Sequence, residues 1–161
     1  DVCSSDLTYY GRGPFENYID RYSGAFIGRY EDKVENQFYW YIRPQETGNK
    51  TDVRWLTLLD SGGLGVKITG LQPISFSALH FSPEDLDPGL TRKLQHTIDI
   101  VPQKNIFLHV DLKQRGLGGD NSWGMYPHNE YRLLDKKYTY SYMIELVEKG
   151  SDKNDYLNSR K

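Results

Sequence analysis

The side chains that could do chemistry are of three kinds: four histidines, many carboxylates, and a glycine-rich loop that carries a tryptophan. His80, His96, His109 and His128 show no zinc spacing such as His-Glu-x-x-His. The first three fall in stretches that read as strands, where packing or surface roles are the ordinary ones. Cleavage of a glycosidic bond with retention needs two carboxylates about 5–5.5 Å apart. The chain has 22 Asp and Glu, yet no pair stands out; Glu16 and Asp20 could equally pair with Arg12 and Arg21. Asn49-Lys50-Thr51 fits the N-glycosylation pattern, a pattern common by chance.

The loop Gly116-Leu117-Gly118-Gly119-Asp120-Asn121-Ser122-Trp123-Gly124 lacks the Gly-Lys-Ser/Thr ending and the following helix of a phosphate cradle. Its glycines allow sharp bends. The loop would present Trp123, with Asp120, Asn121 and Ser122, at the rim of the fold. A structural turn around a partly buried Trp is the other reading, and the residues alone leave both open.

Elements must hold these groups, and the dominant period is two, the mark of half-buried strands. Over Asn105–Lys113, Ile106, Leu108, Val110 and Leu112 share a face. Leu64, Val66 and Ile68 alternate with polar or small residues, as do Leu94, His96, Ile98 and Ile100, and Tyr138 through Leu146. Val53–Leu59 and Ile74–Phe81 are apolar on both faces and read as central strands. Asp60-Ser61-Gly62-Gly63 and Val101–Asn105 read as hairpin connections. Ser82-Pro83-Glu84-Asp85 reads as a capped helix start that Pro88-Gly89 soon stops. The expected fold is all-β, an antiparallel β-sandwich with long loops.

Bulk numbers fit one domain. The chain has 161 residues, a net charge of -2 and a mean hydropathy of -0.70. Lys and Arg are scattered, so no nucleic-acid stripe forms, and no apolar run is long enough to cross a bilayer. Aromatics reach 14%, with 13 Tyr. That suits strands, and it also suits sugar binding, because pyranose C–H faces stack on aromatic rings. Cys3 is the only cysteine, so no intrachain disulfide can form.

Four segments, in order, resemble those of the family-two beta-galactosidases. Tyr10-Gly11-Arg12-Gly13-Pro14-Phe15-Glu16-Asn17-Tyr18-Ile19-Asp20-Arg21 is similar to the family's Gly-x-Gly-Pro-x-Glu-Asn-Tyr-x-Asp-Arg. Arg43-Pro44-Gln45-Glu46-Thr47-Gly48-Asn49, with Asp52–Trp55 after it, resembles its Pro-x-Glu-x-Gly segment. Phe76–His80 with Pro83–Leu86 is the third. Gly118-Gly119-Asp120-Asn121-Ser122-Trp123 resembles Gly-Gly-Asp-Asp/Asn-Ser-Trp, with Asn121 where some members have Asp. The resemblance covers residues 8–148. Residues 1–7 resemble a translated sequencing adapter, read as a non-native leader and set aside, and residues 149–161 read as a polar tail.

The resemblance implies that 8–148 is the second half of the last of five domains, a supersandwich like that of galactose mutarotases. It implies a parent enzyme, homo-oligomeric at full length, that hydrolyses terminal β-galactosides such as lactose through a covalent galactosyl-enzyme. Trp123 matches the residue that stacks on the sugar, while Asp120, Asn121 and Ser122 match the loop that holds it. Both catalytic glutamates, and the magnesium and sodium ligands, would come from the barrel and other domains. This chain would then supply no catalytic residue and no metal ligand, and would be inactive alone. Its partners would be a β-galactoside and the rest of its own polypeptide, not nucleic acid or membrane. A free-standing sugar-binding module is the competing expectation, and a purely structural role in oligomer contacts is a third.

Overall fold

Strands form in six places. The structure, a computed structural model, describes residues 5–87, 89 and 95–150. The strands are β1 (Asp6–Gly13), β2 (Phe26–Lys33), β3 (Lys50–Leu59), β4 (Leu64–Leu79), β5 (Phe107–Asp111) and β6 (Tyr142–Glu148). Every pairing between them is antiparallel, in one sheet of order β2-β1-β3-β4-β5. β6 joins the first half of β4 and β5 the second half. The all-β antiparallel expectation holds, with one α-helix, α1 (Pro83–Leu86), among the described residues. Those residues form a single sheet, where the sequence pattern suggested two packed sheets.

The buried face is built from opposed residues. Leu7 faces Leu58 and Tyr9 faces Leu56 across β1 and β3; Leu58 faces Val66 and Leu56 faces Ile68 across β3 and β4. Phe76 and Ala78 continue that face in the second half of β4, where Val110 and Leu108 of β5 oppose them. β3 changes register between Lys50 and Trp55, and Asp52 there takes a left-handed φ of 53°. Such an irregularity bends a strand and brings both halves of β4 onto one cluster. A second cluster gathers Phe38, Leu79, Phe81, Leu86 and Ile100 beyond the end of β4.

Local turn chemistry behaves as read. Asp60 Oδ1 accepts from the amides of Gly62 at 2.8 Å and Leu64 at 3.0 Å, closing the β3–β4 hairpin, with Gly63 at φ 82°. Ser82 and Asp85 form a reciprocal capping box around α1. Pro88 lies outside the described residues.

Other readings need correction. No strand forms near residues 95–100; Thr97–Asp99 is a short 3₁₀ turn, and Asp99 Oδ2 accepts the His96 amide at 2.8 Å. Leu94 lies outside the described residues. β4 already has β3 on one side and β5 and β6 on the other, so its ladder has no free place for that segment. The stretch 101–105 is consequently not a hairpin; the Gln103 amide donates to His80 O at 2.7 Å, beyond the end of β4. Of the three histidines placed on strands, only His109 lies in one. Tyr138 and Tyr140 precede the last strand, which starts at Tyr142. Leu7 is wholly buried in the core. Cys3 lies outside the described residues, as do residues 151–161 of the polar tail.

Candidate functional site

The first resembling segment ties the others together. It leaves β1 at Gly13, whose peptide bond to Pro14 is cis, and passes the start of β3, where the Asn17 amide donates to Asn49 O at 2.8 Å. Asn17 is wholly buried and uses both ends of its amide. Its Nδ2 donates to Arg12 O at 3.1 Å and Phe15 O at 3.0 Å, while its Oδ1 accepts from Thr51 N at 2.9 Å and Thr51 Oγ1 at 2.5 Å. The Asn49 side chain returns the contact, donating to Asn17 O at 2.8 Å. Asn49 is itself fully buried, so the glycosylation pattern there lies in the interior, at the start of β3.

Glu16 is the second link. Its carboxylate accepts from Tyr41 Oη, Thr47 Oγ1 at 3.2 Å and the Gly48 amide at 2.9 Å, with Arg21 Nη1 at 3.9 Å. Burial and the Glu16 carboxylate push the Tyr41 phenol above its usual range. Arg12, instead of pairing with Glu16 or Asp20, pairs with Asp52 at 2.5 Å and lies over the Tyr22 ring at 4.3 Å. These acids are spent on holding loops. Burial raises the Glu46 carboxyl above its usual range, with His109 opposing that shift, and Glu46 Oε1 is buried without a partner.

Asp20 is the third link, and it reaches the glycine-rich loop. Its Oδ2 accepts the Gly118 amide at 2.8 Å. The Gly116 amide donates to Tyr131 O at 2.7 Å, so the neck of the loop is held from both sides. A Cβ at Gly116 would lie 2.7 Å from Asp20 Oδ2, and one at Gly119 would overlap the Met125 carbonyl. Glycine is required at both by close approach. Beyond the neck, the Trp123 amide donates to Asn121 Oδ1 at 2.8 Å, and Gly124 turns the chain back at φ 98°. Asp120 Oδ1 stands 2.7 Å from His128 Nε2, and the Arg132 guanidinium lies 5.0 Å from the centre of the Tyr126 ring.

The outcome is a clamped loop with its indole in water: Trp123 is 92% exposed. Of the two readings of this loop, a partly buried structural Trp does not occur. Asp120 and Asn121 each make a bond that shapes the tip. Asp20 as anchor and His128 as partner of Asp120 were not singled out by sequence. Asp20 sits in the first segment and could have been suspected; nothing in the spacing of Asp120 and His128 gives their contact away. Among the described residues no group of three or more His, Cys, Asp or Glu is arranged to hold a metal ion, and no helix is long and apolar enough to cross a membrane.

Comparison with known proteins places this arrangement. A family profile described as beta galactosidase small chain matches residues 3–144. The chain is 39% identical over 140 residues to a beta-galactosidase of Priestia megaterium, covering 86% of this chain and 13% of that protein. It is 37% identical over 143 residues to one of Streptococcus thermophilus, covering 88% of this chain and 14% of the relative. One of Lactobacillus delbrueckii subsp. bulgaricus is 37% identical over 134 residues, 83% of this chain and 12% of the relative. The chain thus spans less than a sixth of the length of each of these three relatives.

Proposed function

Since the chain belongs to the beta-galactosidase small-chain family, we propose that it is the C-terminal part of a retaining enzyme that hydrolyses terminal β-galactosides such as lactose. Its share of the work is binding. Trp123 stacks on the sugar, and Asp120, Asn121 and Ser122 shape the loop that carries it. The observation behind this reading is the indole itself: an apolar ring 92% exposed at the tip of a loop whose neck is tied down. An exposed aromatic on a held loop is pre-organised for a flat apolar face, and a pyranose offers one.

The two catalytic glutamates, and the magnesium and sodium ligands, belong on this reading to other domains of the full-length, homo-oligomeric enzyme, so the chain alone cleaves nothing. Glu16 supports that division, because its carboxylate is saturated by donors that fix loops. The sheet would be one part of a supersandwich completed by the rest of the polypeptide. Ile144 and Leu146 support this: they lie on the core face yet are 61% and 90% exposed.

Aromatic contacts of this kind contribute about 1 kcal/mol. Trp123→Ala in the full-length enzyme should therefore raise KM for a β-galactoside about fivefold and change kcat less, as expected for loss of binding not confined to the transition state. Steady-state kinetics give the answer, and an unchanged KM would remove the stacking role.

A further inference from the structure

We propose that the Asp120–His128 pair is a positioning element for the Trp123 loop and makes galactoside binding depend on pH. The inference rests on the reading of Trp123 as the sugar-stacking residue. Asp120 Oδ1 and His128 Nε2 meet at 2.7 Å across eight positions of chain. Trp123 lies inside that ring. The neck contacts of Asp20 and Tyr131 hold the loop at Gly118 and Gly116, short of the tip. The bond from Trp123 N to Asn121 Oδ1 is local and ties the tip to nothing else. Arg132 over Tyr126 braces only the returning limb. Among the described residues, the Asp120–His128 contact is the side-chain bond that closes the ring around the indole. Gly118 and Gly119 precede it and Gly124 lies within it, so an open ring would sample many backbone states, and a ligand that needs one of them would bind less well.

The chemistry of the pair sets the direction. Protonated His128 gives Asp120 a charge-assisted hydrogen bond. Asp120, through that bond and its charge, and then Glu130 hold the imidazolium above its usual range. The remaining charged group around the ring is Arg132, which borders the same cleft and donates to Asn129 Oδ1 at 3.1 Å. As pH rises past the His128 transition, the charge is lost, the bond weakens and the ring loosens. KM rises more than kcat changes, as expected for a contact that acts through the position of Trp123.

The test uses the full-length enzyme carrying this sequence, with KM and kcat for a nitrophenyl β-galactoside followed across roughly pH 5.5–8.5, the range in which histidine titrates. Each KM is expressed relative to that of His128→Gln, whose neutral amide can donate to Asp120 at every pH. The wild-type ratio should climb about two- to fivefold from the acid to the alkaline end, the range of an exposed ion pair. His128→Ala and Asp120→Asn should show the raised KM throughout, with Tm unchanged. A flat ratio, or His128→Ala equal to wild type beside a Trp123→Ala enzyme of raised KM, overturns the positioning role alone. A Trp123→Ala enzyme of unchanged KM overturns the stacking reading, and this inference with it. The pair itself is then read from the nuclear magnetic resonance titration of His128, which Asp120→Asn should move to lower pH.

Discussion

At the scale of single residues, the parts of the site that could be read from sequence are those whose neighbours are near in the chain. Glu16, Asn17 and Asp20 stand together in one segment, and that segment drew attention. Their partners did not, because Thr51 lies 34 positions from Asn17 and Gly48 lies 32 from Glu16. Lys50 was hidden for the same reason. It stands in the glycosylation pattern and is 2% exposed, with Nζ donating to Gly48 O at 3.1 Å. Burial lowers its ammonium from 10.5 to about 8, against the pull of Glu16 and Asp32. The unfolded chain keeps that proton up to 10.5 and the fold releases it near 8, so stability rises as pH climbs through this interval and rests at its floor below 8. Tyr9 and Tyr18 act in the opposite sense. Burial raises both phenols, so their contribution is complete below 10.0 and is lost above it. The urea midpoint should therefore climb from pH 8 and be highest near pH 10. Lys50→Met should flatten the acid limb, which is worth up to about 3 kcal/mol.

At the scale of elements, short-range chemistry carried furthest. The Asp60–Gly63 turn and the Ser82 cap depend on neighbouring atoms only, and both form as written in the sequence. Leu94–Ile100 has the alternation of a strand and is not one, because alternation says nothing about whether a sheet edge is free to receive it. The glycine-rich loop lies between these cases: its bends could be foreseen, its anchors could not. Two adjacent glycines separate bending from packing. A methyl at Gly118 would meet Asp20 Oδ2 at 3.5 Å, an ordinary contact, whereas one at Gly119 would drive into the Met125 carbonyl. Gly118→Ala should leave KM of the full-length enzyme within about twofold, while Gly119→Ala should raise it as far as Trp123→Ala does, about fivefold. Thermal unfolding should place both close to wild type, since the overlap lies in the loop and not in the sheet.

At the scale of the molecule, a period of two announces a buried face without saying which chain buries it. Ile144 and Leu146 stand opposite Ile68 and Val66 on the core side of the sheet, and nothing described here covers them. β6 also presents its outer edge unpaired among the described residues. Exposed apolar edges of this kind recruit other strands. The chain prepared alone should self-associate in sedimentation runs. Ile144→Lys with Leu146→Lys should return it to monomer, whereas the same pair in the full-length enzyme should lower Tm. A lone chain that sediments as a monomer would mean that the face tolerates water.

The Asp20–Gly118 bond spans 98 positions, and it also has a meaning in time. Hairpin pairing of β1 with β2 and of β3 with β4 involves neighbours in the chain, and such contacts close early and cheaply. The bond between Asp20 and Gly118 closes a far longer loop, at a greater cost in chain entropy. It would be formed after the folding barrier, not before it. A weakened anchor would then leave the rate of folding as it was and hasten unfolding, so the glycine-rich loop would arrive late and leave early.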